Sequence, residues 1–470
     1  MIRILIIAKL INMFLITPIH FKQCCLAFVT VLAITLFSCN KASELKPFVA
    51  KVSESAINKP VLTRPNIVLI LGDDIGYEIP TSDGGSSYQT PNIDKIAANG
   101  MRFTQCFTAP LCSPSRFLIM TGKYNYRNYT AWGIMNPNEK TLGTLFHDAG
   151  YATYVAGKWQ FDGGDASIHS LGFDDYSIWN PYQTLDSAMG SHYKNPVVYE
   201  GGAYLSQSAT RNKYGDDIFT NRALDFIRQN NSKNFFVYFP ITLCHEPFSP
   251  TPSDPEFAAW DPKRDQSNPA FFPSMVAYMD KKVGQVTDSL KAWNLYENTI
   301  IIYAGDNGTP SDIVSRFNGK QIRGGKASPN VFGTKVPLMI SWPGHIPAHS
   351  VNTSLIDFTD FLPTLADAAG ISVPLNYAPV DGVSFYNQMV GLPATPRSWI
   401  YCYYHPLSKD GTNDLLLVWA HDGKYKLYDS LGMFFNTLKD PYEKVPLLTL
   451  TPKEQQIKAN LQAVIDSEHN

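Results

Sequence analysis

The chain is predicted to form an α/β fold. Three observations carry that expectation: apolar, β-branched runs of strand length recur along it, helix-type segments fall between them, and the pattern shifts to short strands and turns near the C-terminus. The runs are residues 66–71 (NIVLIL), 152–156 (ATYVA), 235–239 (FFVYF), 299–304 (TIIIYA) and 337–341 (PLMIS). Continuous apolar character, rather than alternation, marks strands covered on both faces, as the parallel strands of an α/β sheet are. Between them, Thr90-Pro91-Asn92-Ile93-Asp94 opens a helix with Thr90 as cap and a proline at its first position, and Gly100 closes it. A second helix is expected over about residues 142–149, before Gly150, and a longer amphipathic one over about 274–293. Beyond about Pro374, strand-like pieces at 398–404 and 415–420 alternate with turns such as Asp422-Gly423, which predicts a small antiparallel sheet with a terminal helix.

Length and composition narrow the class. At 470 residues the chain exceeds one ordinary core, so a large domain with a smaller companion is expected. The 39 basic and 41 acidic side chains nearly cancel, to a formal charge of -2, which argues against a nucleic-acid surface. The N-terminus reads as an export signal over residues 1–38. An apolar run at 24–37 follows Lys22 and ends in Leu36-Phe37-Ser38-Cys39. A bilayer span takes about 20 apolar residues and this run is shorter, so a permanent membrane helix is the weaker reading unless the segment before Pro18 also contributes. Ser38 before Cys39 resembles a bacterial lipoprotein box, which places the protein in the periplasm or at the cell surface with lipid on Cys39; simple secretion is the other reading. Residues 39–62 are polar and read as a tether. The main domain is expected over 63–374 and the C-terminal subdomain over 375–470. Of seven cysteines, Cys24 and Cys25 leave with the signal and Cys39 takes lipid. Cys106, Cys112, Cys244 and Cys402 remain, widely spaced, and no disulfide is expected among them.

Ligands of open α/β sheets gather at the carboxyl ends of the strands, so the residues after each run belong together. NIVLIL runs into Gly72-Asp73-Asp74, TIIIYA into Gly305-Asp306-Asn307-Gly308, ATYVA into Gly157-Lys158-Trp159-Gln160, and FFVYF leads to His245-Glu246-Pro247. Asp73, Asp74, Asp306 and Asn307 offer carboxylate and amide oxygens alone, a set that suits a hard divalent cation, calcium or magnesium. Arg116, Lys158, His245 and Lys326 are the candidate positive groups around it.

One string gives these residues a common purpose. Residues 112–122 read CSPSRFLIMTG and fit CxPSRxxxxTG without a mismatch. This resembles the maturation signature of the type I, formylglycine-dependent sulfatases of the alkaline phosphatase superfamily, and Gly-Lys-Trp at 157–159, His245-Glu246-Pro247, Gly324-Gly325-Lys326 and Asp422-Gly423-Lys424-Tyr425-Lys426-Leu427-Tyr428 extend the likeness over about residues 63–470. The resemblance implies an alkaline phosphatase-like fold, with a mixed, mostly parallel sheet flanked by helices. It also implies a maturation enzyme that oxidises Cys112 to formylglycine, and a bound ion, calcium being the family's usual one. By the same resemblance Asp73, Asp74, Asp306 and Asn307 hold the metal together with residue 112. Arg116 orients the hydrated aldehyde, Lys158 and Lys326 grip sulfate, and His245 protonates the leaving oxygen. One hydroxyl of the hydrate attacks sulfur, and loss of the proton from the other expels sulfate, a route that a serine ester lacks.

Two departures from the pattern bear on mechanism. Sulfatases commonly read GKWH where this chain reads GKWQ, and Gln160, still a substrate-binding candidate, cannot take a proton. The acidic Glu-Gly-Gly often found after GGK is replaced by Asn330-Val331-Phe332-Gly333. The expected substrate is a sulfated small molecule or glycan. Carbohydrate rests on export and on aromatic residues such as Trp132, Trp159, Trp179, Trp260 and Tyr182, which either stack on sugars or pack; residues 161–215 are a candidate pocket-lining insertion. Two alternatives stand beside a sulfatase: a phosphatase or phosphonate hydrolase on the same scaffold, and a sulfated-glycan-binding protein impaired in turnover.

Overall fold

In a computed structural model, residues 64–182, 190–407, 415–429 and 431–469 are described. The expected export signal, Cys39 and the tether lie outside them. Each apolar run forms a strand. The chain order begins β1 (Asn66–Gly72), β2 (Met101–Phe107), β3 (Ala152–Lys158), β4 (Asp175–Trp179), β5 (Tyr199–Glu200), β6 (Ala203–Tyr204), β7 (Phe235–Pro240) and β8 (Thr299–Gly305). A separate hairpin follows, β9 (Val314–Phe317) and β10 (Lys320–Arg323), and then β11 (Lys335–Ser341), β12 (Ser350–Asn352) and β13 (Ile356–Asp357). Apart from the hairpin these make an 11-stranded sheet in the order β12-β2-β11-β8-β1-β7-β3-β4-β5-β6, with β13 beside β2.

Strands β8, β1, β7, β3 and β4 are mutually parallel and deliver their carboxyl ends to one edge. Every residue of β1 is buried. Ile67, Leu69 and Leu71 face one core with Phe117 and Phe146, while Val68 and Ile70 face the other with Ile93, Phe219 and Met275. That division explains the unbroken apolar run. Helices α2 (Cys112–Thr121) and α3 (Leu142–Asp148) cover the first face; α1 (Pro91–Ala98), α4 (Gly215–Gln229) and α5 (Phe272–Ala292) cover the second. After α5, the C-terminal strands β14 (Ile400–Tyr404), β15 (Leu417–His421), β16 (Tyr425–Tyr428) and β17 (Phe434–Asn436) form the expected small antiparallel sheet, with α6 (Pro452–His469) behind it. Tyr401, Trp419 and Leu427 of that sheet enter the same core as Leu69 and Phe117. Among the described residues no helix is long and apolar enough to cross a membrane.

Three local expectations are corrected. The PLMIS run lies in β11, which is antiparallel to both β8 and β2. Burial on both faces looks the same in either direction, so pattern alone does not fix it. The reversal matters, because it is the start of β11, not its end, that meets the functional edge. Thr90 precedes α1 but its side chain caps no helix N–H. Asp280 of α5 does so instead: its Oδ1 accepts from the Asn92 and Ile93 amides, each at 2.9 Å, and its Oδ2 from Asn92 Nδ2 at 2.8 Å. Asp280→Ala is therefore expected to cost about 1–2 kcal/mol, read as a lower denaturant midpoint at unchanged slope. Gly100 lies beyond the Asn99 C-cap, and it is small for another reason: a Cβ there would sit 2.1 Å from the Ile340 carbonyl oxygen of β11.

Candidate active site

The site grows from the ends of β1 and β8. Asp306 N donates to Gly72 O at 2.9 Å, which holds the two ends side by side, and Asp74 N donates to Asp306 Oδ1 at 2.9 Å. Such an approach excludes a side chain on Gly305, whose Cβ would meet Ile75 O at 1.9 Å. The loop after β7 brackets Asp73 from the other side: its amide donates to Leu243 O at 2.9 Å and its carbonyl accepts from Cys244 N at 2.7 Å. Asp73, Asp74, Asp306 and Asn307 are all fully buried.

Buried cations answer this charge. Arg116, on the first turns of α2, donates through Nε and Nη2 to Asp306 Oδ2 at 3.2 and 2.8 Å and through Nη1 to Lys158 O at 2.8 Å. Lys158, the last residue of β3, sets its Nζ 2.6 Å from Asp73 Oδ2. Lys326 reaches Asp74 Oδ2 at 2.5 Å from the segment before β11. Its own amide donates to Thr309 O at 2.9 Å, so the chain between Thr309 and Lys326, which includes the β9–β10 hairpin, leaves and returns at one point. His245, on the loop after β7, donates through Nδ1 to Glu246 O at 2.6 Å, which leaves Nε2 turned toward Asp74 Oδ2, 3.9 Å away.

Residue 112 occupies the first position of α2, and its Sγ accepts from Gln160 Nε2 at 3.0 Å. Gln160 is held at φ 62°, a left-handed conformation, just after β3. Burial, with Asp73 and Asp306 adding to it against the pull of Lys158 and Lys326, pushes the Cys112 thiol up. It is a protonated thiol, which is a weak nucleophile and a poor partner for a hard cation.

The donors fit a metal ion. Neither Asp73 oxygen accepts a hydrogen bond, the Lys158 contact being ionic only, and Asn307 Oδ1 is likewise unpartnered. Asn307 Nδ2 is tied to Asp74 Oδ1 at 2.8 Å and to Gly308 O at 3.0 Å, which leaves the amide oxygen as the free end. One ligand atom each from Asp73, Cys112 and Asp306 lies within 4.8 Å of the others, as do those of Asp73, Asp74 and His245. Burial and the Asp73 carboxylate push Asp306 up to about 7 against its Arg116 partner, a sign of surplus negative charge. Burial alone would raise Asp74 too, but the positive charge around it, that of Lys326 first, outweighs it and holds that carboxyl well below the usual range.

Every residue singled out for the site thus lies at this one edge. Neighbours that carry no motif complete it. His192 is buried, its Nε2 lacks a hydrogen-bond partner, and its ring lies 5.9 Å from that of His245. Tyr193 Oη donates to the carbonyls of Thr242 and His245 at 2.9 and 2.6 Å, and Asp216 accepts from Thr242 N at 2.9 Å, so both hold the His245 loop. Trp159 is fully buried between Phe161 and Phe173, which makes it a packing residue rather than a sugar platform. Burial, helped by Lys158 and Lys326, pushes the His245 imidazole well below its ordinary value, so it is neutral near pH 7.

Comparison with known proteins agrees with this geometry. A family model described as Sulfatase matches residues 65–371, and one described as N-sulphoglucosamine sulphohydrolase, C-terminal, matches residues 332–469. Arylsulfatase G of Rattus norvegicus is 28% identical over 86% of this chain and 86% of its own. N-acetylgalactosamine-6-sulfatase of Canis lupus familiaris is 29% identical over 72% of this chain and 68% of its own. A solved structure of a protein in complex with its substrate, D-glucosamine-2-N,6-O-disulfate, superposes with a TM-score of 0.67 at 20% identity, covering 86% of this chain and 97% of that one. The last likeness is one of fold.

Proposed function

The chain belongs to the sulfatase family, and from that premise we propose that it hydrolyses a sulfate ester carried on a carbohydrate, with a formylglycine made from Cys112 as its nucleophile. It is a sulfuric ester hydrolase. The observation that carries the finer reading is the position of residue 112: at the start of α2, its ligand atom within 4.8 Å of those of Asp73 and Asp306, beneath Gln160. A thiol there is a poor nucleophile, whereas a hydrated aldehyde presents two hydroxyls, one to attack sulfur and one to expel sulfate afterwards.

Asp73, Asp74, Asp306, Asn307 and residue 112 would hold a calcium ion, or magnesium, which supplies electrostatic stabilisation of the charge on the sulfuryl oxygens. Arg116 pairs with Asp306 and holds it in place, and a bound cation would favour its ionised form. Lys158 and Lys326 flank the same space and bind the ester's negative charge. That charge offsets the Lys158 and Lys326 repulsion that adds to burial in keeping His245 neutral, so substrate binding raises the proton affinity of Nε2 where the leaving oxygen needs a donor. Gln160 orients residue 112 without accepting a proton, so the expulsion step depends on another acceptor.

The carbohydrate class is supported by the name of one relative, N-acetylgalactosamine-6-sulfatase, and by the sulfated glucosamine bound as substrate in a structure of similar fold. Export with a lipid on Cys39 is supported by residues 24–39, and a formylglycine-generating enzyme of the host is the partner that CSPSR requires. Peptide mass spectrometry of residues 112–122 from the native host, with sulfate release measured on a panel of sulfated sugars, tests the reading. The expected result is an aldehyde in place of the thiol, together with turnover. A persistent thiol in protein that still releases sulfate would overturn the nucleophile assignment.

A further inference from the structure

Lys426 is a lysine almost wholly inside the protein, in the middle of β16 of the C-terminal sheet; its side chain is 3% exposed and that of its partner Glu443 6%. Its Nζ lies 3.2 Å from Glu443 Oε1 and over the rings of Trp419 and Tyr428, 4.2 and 4.6 Å from their centroids. Tyr428 Oη donates to the other Glu443 oxygen. All of these belong to the C-terminal region. One partner does not: Nζ also donates to the carbonyl of Pro329, three residues beyond Lys326.

The segment that presents Lys326 needs such an anchor. Ala327 sits at φ 68°, a left-handed conformation costly for a residue with a side chain. Its amide donates to Pro110 O at 2.9 Å, next to the start of α2, and Ser328 N donates to Gly325 O at 2.8 Å. A second contact from the same C-terminal turn lies beside the first. Tyr442 packs on Phe332 with ring centroids 4.4 Å apart, and Gly333 O, adjacent, accepts from Gly308 N at 3.0 Å, beside Asn307. Lys426 and Tyr442 thus grip residues 329–333 from outside while the active site holds them from within. A buried ion pair seldom repays its desolvation in stability, and fixing a geometry is what such a pair does best.

We propose that Lys426 is a positioning residue for Lys326: by holding the Pro329 carbonyl, the C-terminal sheet sets where the Lys326 ammonium meets the sulfate. The inference rests on the role given to Lys326 above.

A double-mutant cycle tests it, with folding checked by thermal melting. Lys426→Met is expected to lower kcat/KM for a sulfated sugar by about 100-fold, the scale of a displacement near 1 Å, and Lys426→Arg to recover most of it. On a Lys326→Ala background, Lys426→Met is expected to cost no more than about twofold further, because nothing is left to position. Should Lys426→Met fail to fold, Lys426→Met with Glu443→Gln leaves no unpaired buried charge and takes its place in the cycle. Full activity in folded Lys426→Met, or losses that multiply with that of Lys326→Ala, overturns the inference alone. Undiminished activity of Lys326→Ala overturns the assignment of Lys326 and the inference with it.

Discussion

Replacing Cys112 by alanine is expected to abolish sulfate release, a fall of about 10³-fold or more in kcat, while the protein still folds. The reasoning joins chemistry and packing. Removal of a covalent nucleophile leaves only the residual catalysis of binding and electrostatics. The structural cost is small, because Sγ makes one weak hydrogen bond, to Gln160 Nε2 at 3.0 Å, and its loss leaves a cavity of a single atom. Cys112→Ser separates the two halves of the reaction. Its hydroxyl attacks sulfur but has no second hydroxyl to release it, so a stable sulfate ester on residue 112 should accumulate and be visible by mass spectrometry. Sulfate release from the alanine variant at the native rate would remove residue 112 from the chemistry.

Arg116→Met is expected to be the most damaging substitution for stability, by about 3–5 kcal/mol, and to eliminate activity as well. Arg116 and Asp306 are both inaccessible to solvent, and the guanidinium is shared between that carboxylate and the Lys158 carbonyl. Methionine fills much of the volume but leaves Asp306 beside Asp73 with one cation fewer. A pH series adds a sign. Asp306 has its folded value raised to about 7, so in chelator-treated protein this group favours folding at low pH, and the contribution is lost as pH rises from near 4 to about 7. In the variant, which lacks the cation that opposes this rise, the loss should continue to higher pH. Added calcium favours the ionised carboxylate and should flatten or reverse the slope in the parent protein. Unchanged melting of Arg116→Met at pH 7 would contradict the pairing.

The parts legible in the sequence were those with a short physical code. Strands covered on both faces have no polar side to display, so NIVLIL and TIIIYA announce themselves, and the aspartates that follow them must then lie at one edge. The direction of β11 was not legible, since burial is blind to it. Nor was the cap on α1: the donor groups belong to Asn92 and Ile93, but the acceptor is Asp280, 188 residues from Asn92. His192 carries no motif, and only the folded chain brings it beside His245. Gln160 was legible as a departure from a pattern, and the structure adds its contact with residue 112.

The closure of Thr309 on Lys326 has an evolutionary consequence. Residues 310–325 form an excursion whose two ends are fastened together at its base, Lys326 N to Thr309 O at 2.9 Å and Gly324 N to Ile313 O at 3.0 Å. Its first strand is tied to the body, Ser86 N donating to Arg316 O at 2.8 Å and Ile313 lying in the core, but a Cβ on Gly319 at its tip would meet nothing, so the turn can change length at little more than loop-closure entropy, about 0.6 kcal/mol for each doubling. Asp306, Asn307 and Lys326 would not move. The tip is a place where new surface can be tried out without retuning the residues that do the chemistry.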